Sequence, residues 1–524
     1  MFNGLKAQRR LALYVALGVS AGSCTFLDAS TVYAADVTVG VSDNRTSDVI
    51  GGSTDGNTVT IGATGGGNHP VISANVVGGT SANPTGNTVT INSAHVTGSL
   101  GVLGGFTSNG AVTNNKVFLN GGTVGNIYGA LSTGGGTATG NELTINDGSA
   151  GNVIGGAASA GAGAIGNKVF LNGGTISGTV AGGYGANATA ATGNTITITG
   201  GTFSSDIYGG YSSTTSTNTS GNIVNIGAGG SSYGANLTGA RIYGGRNTNN
   251  VTGNTLNVKA KDGVTLKKVR NFEKFNFQLS DDTTKTAPLL NLTEAGGFGK
   301  LSSDNSDVKV AWSNVTADTS GLSAARGDGI QGKNTITLLQ SGASDLKFDG
   351  YTSTDTAELD RVYEKKLHTD TNSGTASKVQ LELNRYKDGT VAHNGTTAPA
   401  EVYGGYSAYD HTERDADGHD VTVGTNVEGN TLEITDVATG TNNLKAYGGY
   451  AVGAHGGAVN NMVTVNVTNS GAGAIVTAVG GYTMGMGAVR GNTLRFSQGA
   501  TLHALMGGYS DSTTSAADVT YNTV

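Results

Sequence analysis

The chain has 524 residues with 88 Gly, only 4 Pro, 13% charged and 36% hydrophobic side chains, and a formal charge of −7. That composition excludes a collagen, which needs a G-X-Y register, and a charge-rich disordered chain; the acidic balance gives no electrostatic reason to expect nucleic acid as a partner.

The first residues read as an export signal. Lys6, Arg9 and Arg10 form a basic region, 11–21 an apolar one, and Val32-Tyr33-Ala34 a small-residue cleavage site that places the cut between Ala34 and Ala35. Arg9-Arg10 admits the twin-arginine route, but Ala12 stands where that signal wants a bulky apolar residue, so the general route is favoured. The single cysteine, Cys24, lies upstream of the cut, leaving no thiol or disulfide chemistry in the mature chain. The small residues Ala21-Gly22-Ser23 before it keep lipid attachment at Cys24 open as the alternative. No other apolar run is long enough to span a membrane as a helix.

From residue 35 to 258 one phrase recurs. "GNTVTI" at 56–61 returns unchanged at 86–91, and aligning on its Asn gives Asn57, Asn87, Asn115, Asn141, Asn167, Asn194, Asn222 and Asn254. A second phrase, two mostly apolar residues followed by Gly-Gly, interleaves with it, as at Val76-Val77, Val102-Leu103 and Ile207-Tyr208. A fixed period in this range signals stacked repeats. Within each opening phrase the apolar residues alternate, as Val59 and Ile61 do, which is a short strand with one buried face. Such a strand cannot bury that face alone, but equivalent strands stacked about 4.8 Å apart build a continuous core and template one another's hydrogen bonds. The Gly-Asn and Gly-Gly pairs are expected at corners, where positive φ suits both residue types. Asn side chains in register are expected to bond along the axis, and Tyr184, Tyr211, Tyr406, Tyr450, Tyr482 and Tyr509, each behind a Gly-Gly pair, to stack as a packing row. The fold class is therefore all-β, a right-handed parallel β-helix (solenoid) with one coil per repeat.

Residues 259–400 break the rhythm. Most of the charged side chains fall in and around this segment, which reads as an irregular, β-rich insert with strands near 264–279, 308–312 and 379–383 and one short helix over 357–366. The repeats resume over 401–524 with Asn430, Asn461, Asn492 and Asn522, and the sequence stops as another phrase begins.

The export signal, cysteine-free mature chain and Gly/Asn/Thr-rich repeats, with the segment "NTLNVKAKDGVTLKKVRNFEKFNF" (254–277), together resemble the passenger region of bacterial autotransporters of type V secretion. The resemblance implies a protein at the outer membrane or cell surface, displayed by or exported through a C-terminal β-barrel. The sequence contains no run of amphipathic barrel strands, so the reading expects a truncated passenger.

Candidate sites are sparse. Gly18-Val19-Ser20-Ala21-Gly22 fits a serine-hydrolase elbow but lies inside the export signal, and the dinucleotide-like glycines at 161–166 lead into a strand instead of a helix. Arg326-Gly327-Asp328 is an integrin-type adhesion tripeptide in a polar stretch. Glu413 to Asp417, in an enlarged corner, begins like a calcium loop, but Gly424 occupies the position that needs a bidentate Glu; a solvated acidic loop is the expectation, with no metal or cofactor. Lys116, Phe118, Glu142, Lys168 and Phe170 interrupt the outward threonine rows and argue against an ice-binding surface. The sequence thus predicts a non-enzymatic surface protein that presents loops for adhesion or cell–cell contact to an unidentified surface ligand. A β-helix enzyme acting on polysaccharide, or a purely structural envelope or matrix protein, is the alternative.

Overall fold

The computed structural model describes residues 36–63, 69–159, 163–187, 189–214, 218–227, 233–246, 252–260, 263–280, 283, 287–301, 307–322, 333–342, 345–352, 357–360, 362–394, 400–414, 417, 419–437, 444–467, 474–498, 501–512 and 518–524. The stretch read as an export signal, with Ala34 and Ala35, and the tripeptide Arg326-Gly327-Asp328 lie outside the described residues. The chain is all-β, a stacked parallel solenoid, and divides into two compact units: one drawn from 1–277, 289–316 and 341–351, the other from 278–288, 317–340 and 352–524.

In the first unit the recurring phrase forms a parallel sheet in strict order, from Asp36–Val39 through Thr58–Ile61, Thr88–Ile91, Lys116–Leu119, Glu142–Ile145, Lys168–Leu171, Thr195–Ile198 and Ile223–Ile226 to Thr255–Val258. Register partners confirm one coil per repeat: Val59 pairs with Val89, Val89 with Val117, and Val117 with Leu143. The alternation dictates the burial, since Val59, Ile61, Val89 and Ile91 are fully buried while the threonines between them are not. The Gly-Gly phrase forms a second stacked sheet that includes Val76–Val77, Val102–Leu103, Ser149–Ile154, Val180–Gly185 and Ile207–Ser212. A short third one links Val112–Thr113, Ala138–Thr139, Ala164–Ile165 and Ala191–Thr192.

The conserved geometry of each coil rests on a buried amide ladder. Asn115 donates from its backbone N–H (3.0 Å) and its Nδ2 (3.0 Å) to Oδ1 of Asn141, and Asn141 does the same to Asn167 (3.0 and 2.9 Å). The second hydrogen of each Nδ2 goes backwards to a carbonyl, from Asn141 to Val112 at 3.1 Å and from Asn167 to Ala138 at 2.9 Å. The forward bond from Nδ2 to the next Oδ1 runs unbroken from Asn57 to Asn254, so each ladder amide is tied to the amide of the next coil.

The glycines divide into two roles, and this corrects one expectation. The Gly before a ladder Asn does take positive φ (Gly56 at 75°, Gly86 at 69°, Gly140 at 65°), and Asn114 at 54°, Asn460 at 55° and Tyr521 at 54° stand in for it before Asn115, Asn461 and Asn522. The Gly-Gly pairs are not positive-φ corners. Their glycines are required by close approach: a Cβ on Gly104 would sit 2.2 Å from the carbonyl oxygen of Gly129 in the next coil, and one on Gly156 2.4 Å from Oδ1 of Asn167. The first glycine lets coils stack, and the second makes room for the ladder.

Stacking continues past residue 258. Lys268–Arg270 pairs with Arg241–Gly245, and the strand Lys274–Ser280 pairs through Lys274 to Phe277 with Thr255–Val258. The interior there changes from aliphatic to aromatic: Phe275 packs at 4.8 Å on Phe298, Phe298 at 5.4 Å on Phe348, and Phe348 at 5.1 Å on Trp312.

In the second unit the stack runs from Thr390–Asn394 through Thr431–Asp436 and Met462–Asn466 to Thr493–Gln498, with its own ladder from Asn430 to Asn522. An antiparallel sheet precedes it. The expected helix over 357–366 is absent: Glu358–Asp360 and Tyr363–Thr369 are strands, the second paired along its length with Lys378–Arg385. Local propensity favoured a helix, but Tyr363, Leu381 and Leu383 become fully buried by cross-strand packing, and that tertiary gain prevails. The phrase-like 333–338 likewise joins this sheet, where its strand runs antiparallel to Lys378–Arg385 with Thr335 opposite Glu382.

Candidate contact surface

The second unit carries a grouping of aromatic and ionisable side chains. It grows from the motif Tyr-Gly-Gly-Tyr, present at 403–406 and 447–450 and, in the first unit, at 208–211. In a flat strand residues three apart point to opposite faces. Here the rings of Tyr403 and Tyr406 meet edge to face at 5.0 Å, so the strand bends at Gly404-Gly405 and brings both tyrosines to one side. Parallel register then stacks like on like. Tyr406 lies on Tyr450 (5.6 Å), Tyr450 on Tyr482 (4.6 Å) and Tyr482 on Tyr509 (5.4 Å), forming the row expected from sequence. Tyr403 on Tyr447 (5.5 Å) is a second row that sequence reading missed, although the Tyr before each glycine pair was visible.

Tyr406 is 6% exposed and Tyr403 9%, while Met484, whose sulfur accepts from the Tyr450 hydroxyl at 3.5 Å, is 47% exposed. The hydroxyls meet carboxylates: Tyr403 donates to Glu401, Tyr409 to Glu382, and Tyr482 to Asp511 at 3.2 Å. Burial pushes the Tyr406 hydroxyl up to about 12, reinforced by Glu382, Glu364 and Glu401; burial and the Glu401 hydrogen bond raise Tyr403 as well. Lysine ammonium groups sit over two rings, Lys333 over Tyr406 at 4.8 Å and Lys366 over Tyr409 at 4.6 Å.

Beneath this surface Glu364 is buried. Its carboxylate accepts from Asn384 Nδ2 (3.0 Å), Ser407 Oγ (2.9 Å) and the backbone N–H groups of Ala408 (2.7 Å) and Tyr409 (3.1 Å). Burial raises its pKa, with the four donors opposing that shift. Four donors on one carboxylate fasten the strand Tyr363–Thr369 to the segment that bears Tyr406 and Tyr409, which is a positioning role.

The acidic corner is a projecting antiparallel hairpin, Asp410–Arg414 with Asp420–Gly424. Glu413 and Arg414 lie on its first strand, while Asp415, Ala416 and Gly418 lie outside the described residues. Glu413 is engaged by His411 Nε2 at 2.9 Å, Arg414 by Asp420 at 3.3 Å, and Asp410 holds His455 at 2.9 Å. Among the described residues no group of three or more His, Cys, Asp or Glu is placed to hold a metal ion.

The first unit has a smaller charged cluster, also unforeseen because its members are distant in sequence. Arg241 binds Glu294 through Nε (3.0 Å) and Nη2 (2.6 Å) and reaches Asp206 at 3.6 Å; Lys268 adds a contact to Glu294 at 3.4 Å. The Arg241 hydrogen bonds hold the Glu294 carboxyl below the usual range. The cluster ties successive coils together on the face of the stack.

No protein-family model, no curated protein and no solved structure matches the chain.

Proposed function

We infer that this is an exported, non-enzymatic surface protein of the autotransporter-passenger kind, in which the stacked coils are scaffold and the second unit's aromatic, charged surface makes contact with a ligand on another surface. The observation that carries the reading is the tyrosine array: Tyr406, Tyr450 and Tyr482 stack in one row and Tyr403 and Tyr447 in a second, with carboxylates at the Tyr403 and Tyr482 hydroxyls, Lys333 over Tyr406 and the exposed Met484 beside Tyr450. Tyrosine and methionine are residue types that recur at protein contact surfaces. The basic, apolar and small-residue sequence over 1–34 supports export. The ionisable groups under the array, Glu364 above all, are engaged in holding backbone, which fits a binding surface better than a reaction centre.

The test has two arms. Expressing cells are treated with an external protease and probed for the chain, and beads coated with purified protein are scored for adhesion to host cells and to bacteria. Protease-sensitive chain together with adhesion that falls when Tyr482 and Tyr509 are replaced by Ser supports the reading. Intracellular, protected chain or adhesion indifferent to both substitutions removes it.

A further inference from the structure

The tyrosines of the second unit form a connected network as well as a surface. Tyr447 lies 5.5 Å from both Tyr403 and Tyr482, and Tyr450 lies 5.3 Å from Tyr403 and 4.6 Å from Tyr482. Two members donate their hydroxyl hydrogen to a carboxylate, Tyr482 to Asp511 and Tyr403 to Glu401. Losing one electron makes a phenol strongly acidic, so a tyrosine is oxidised readily only where its proton has an acceptor. Tyr482 and Tyr403 meet that condition, and Tyr447 and Tyr450 bridge them. One station is half-buried at the exposed side of the array; the other, Tyr403, is 9% exposed.

We propose that this array accepts one-electron oxidising equivalents at its exposed side and relays them inward to Tyr403. The oxidant is a one-electron acceptor of the peroxide-derived radical or high-valent metal-complex class. It takes an electron from Tyr482 and is reduced by one unit; in the same step the phenolic O–H bond breaks and the proton passes to Asp511, leaving a neutral phenoxyl radical. That radical recovers an electron through the Tyr447 and Tyr450 rings and its proton from Asp511, while Tyr403 loses the electron and gives its proton to Glu401. Each equivalent accepted costs one tyrosine hydrogen atom until a reductant restores it. The inference is independent of what the surface binds.

The full chain is exposed to photogenerated tris(bipyridine)ruthenium(III), and oxidised tyrosines are mapped by peptide mass spectrometry. In the wild type Tyr403 is modified despite its burial. Glu401→Gln abolishes modification at Tyr403 and leaves Tyr482 modified; Tyr450→Phe with Tyr482→Phe, which keeps the packing, also abolishes it at Tyr403. A variant that merely loosened the fold would expose Tyr403 and raise its oxidation, the opposite sign. Modification that follows exposure alone, with Tyr403 untouched in the wild type or unchanged in the variants, overturns the proposal.

Discussion

Replacing Asn141 by Ala tests the ladder at its centre. The side chain accepts two bonds from Asn115 and donates two, to Asn167 Oδ1 and to the Val112 carbonyl. Asn115 Nδ2 keeps its bond to Pro84, but the Asn115 backbone N–H is left buried without an acceptor. An orphaned buried donor costs about 1–3 kcal/mol and each ordinary bond lost about 1 kcal/mol, so Asn141→Ala should destabilise the first unit by about 4 kcal/mol. Asn141→Asp separates the terms. Its carboxylate still accepts from Asn115, but it faces Asn167 Oδ1 and the Val112 carbonyl with no hydrogen to give. A buried carboxylate so placed has a raised folded pKa, so the loss is largest at neutral pH and shrinks as pH falls through that value, whereas the Ala variant shows no such dependence. The only tryptophan, Trp312, is packed against Phe348 and Tyr351 in the same unit and reports its unfolding in urea by fluorescence. Asn146, in the exposed row where its Nδ2 donates to Asn120 at 2.8 Å, supplies the control, and Asn146→Ala should cost under about 1 kcal/mol. Equal costs at Asn141 and Asn146 would refute the claim that burial gives the inner ladder its weight.

Three further outcomes follow from the same geometry. Gly104→Ala puts a methyl 2.2 Å from the Gly129 carbonyl oxygen, so adjacent coils must part; urea titration should show a loss at or above the overpacking range of about 1–3 kcal/mol, against almost none at Gly86→Asn, where positive φ is needed but the space is open. Glu364 has a folded pKa raised by burial, so its contribution is fully present below the unfolded carboxylate value and is lost as pH rises through the raised folded value; Glu364→Gln should remove that slope from the stability profile of the second unit, and also lower its stability because an amide NH2 would face backbone donors. Asp328→Glu should abolish bead adhesion to host cells if the tripeptide at 326–328 takes part in contact, and adhesion that is unchanged assigns contact to other residues.

Much of the scaffold was legible because it is local and periodic. The alternation in "GNTVTI" sets which side chains face inward, and the recurrence of Asn at one place in each repeat implies a ladder. The Gly-Gly pairs were misassigned because composition alone does not separate a glycine that needs positive φ from one that needs the volume of a missing Cβ; the distances at Gly104 and Gly156 make that distinction. The segment 357–366 misled because its Glu and Lys content favours a helix, while the partner that overrides it, Lys378–Arg385, lies beyond any local window. The surface was half visible. The tyrosines behind each glycine pair were read as a row, but the second row, the four donors on Glu364 and the Arg241–Glu294 pair depend on contacts between residues far apart in the chain.

One coil per repeat, in register, is the premise on which the ladder and the tyrosine array both rest, and a pair of engineered cysteines measures it directly. Thr60 and Thr90 are register partners on adjacent coils, about 4.8 Å apart at strand spacing and within the range a disulfide spans, whereas Phe118 is two coils from Thr60. With Cys24 replaced by Ser, Thr60→Cys with Thr90→Cys should oxidise to an intramolecular disulfide in the folded chain, and Thr60→Cys with Phe118→Cys should not. A disulfide in the second pair and none in the first would contradict the stack.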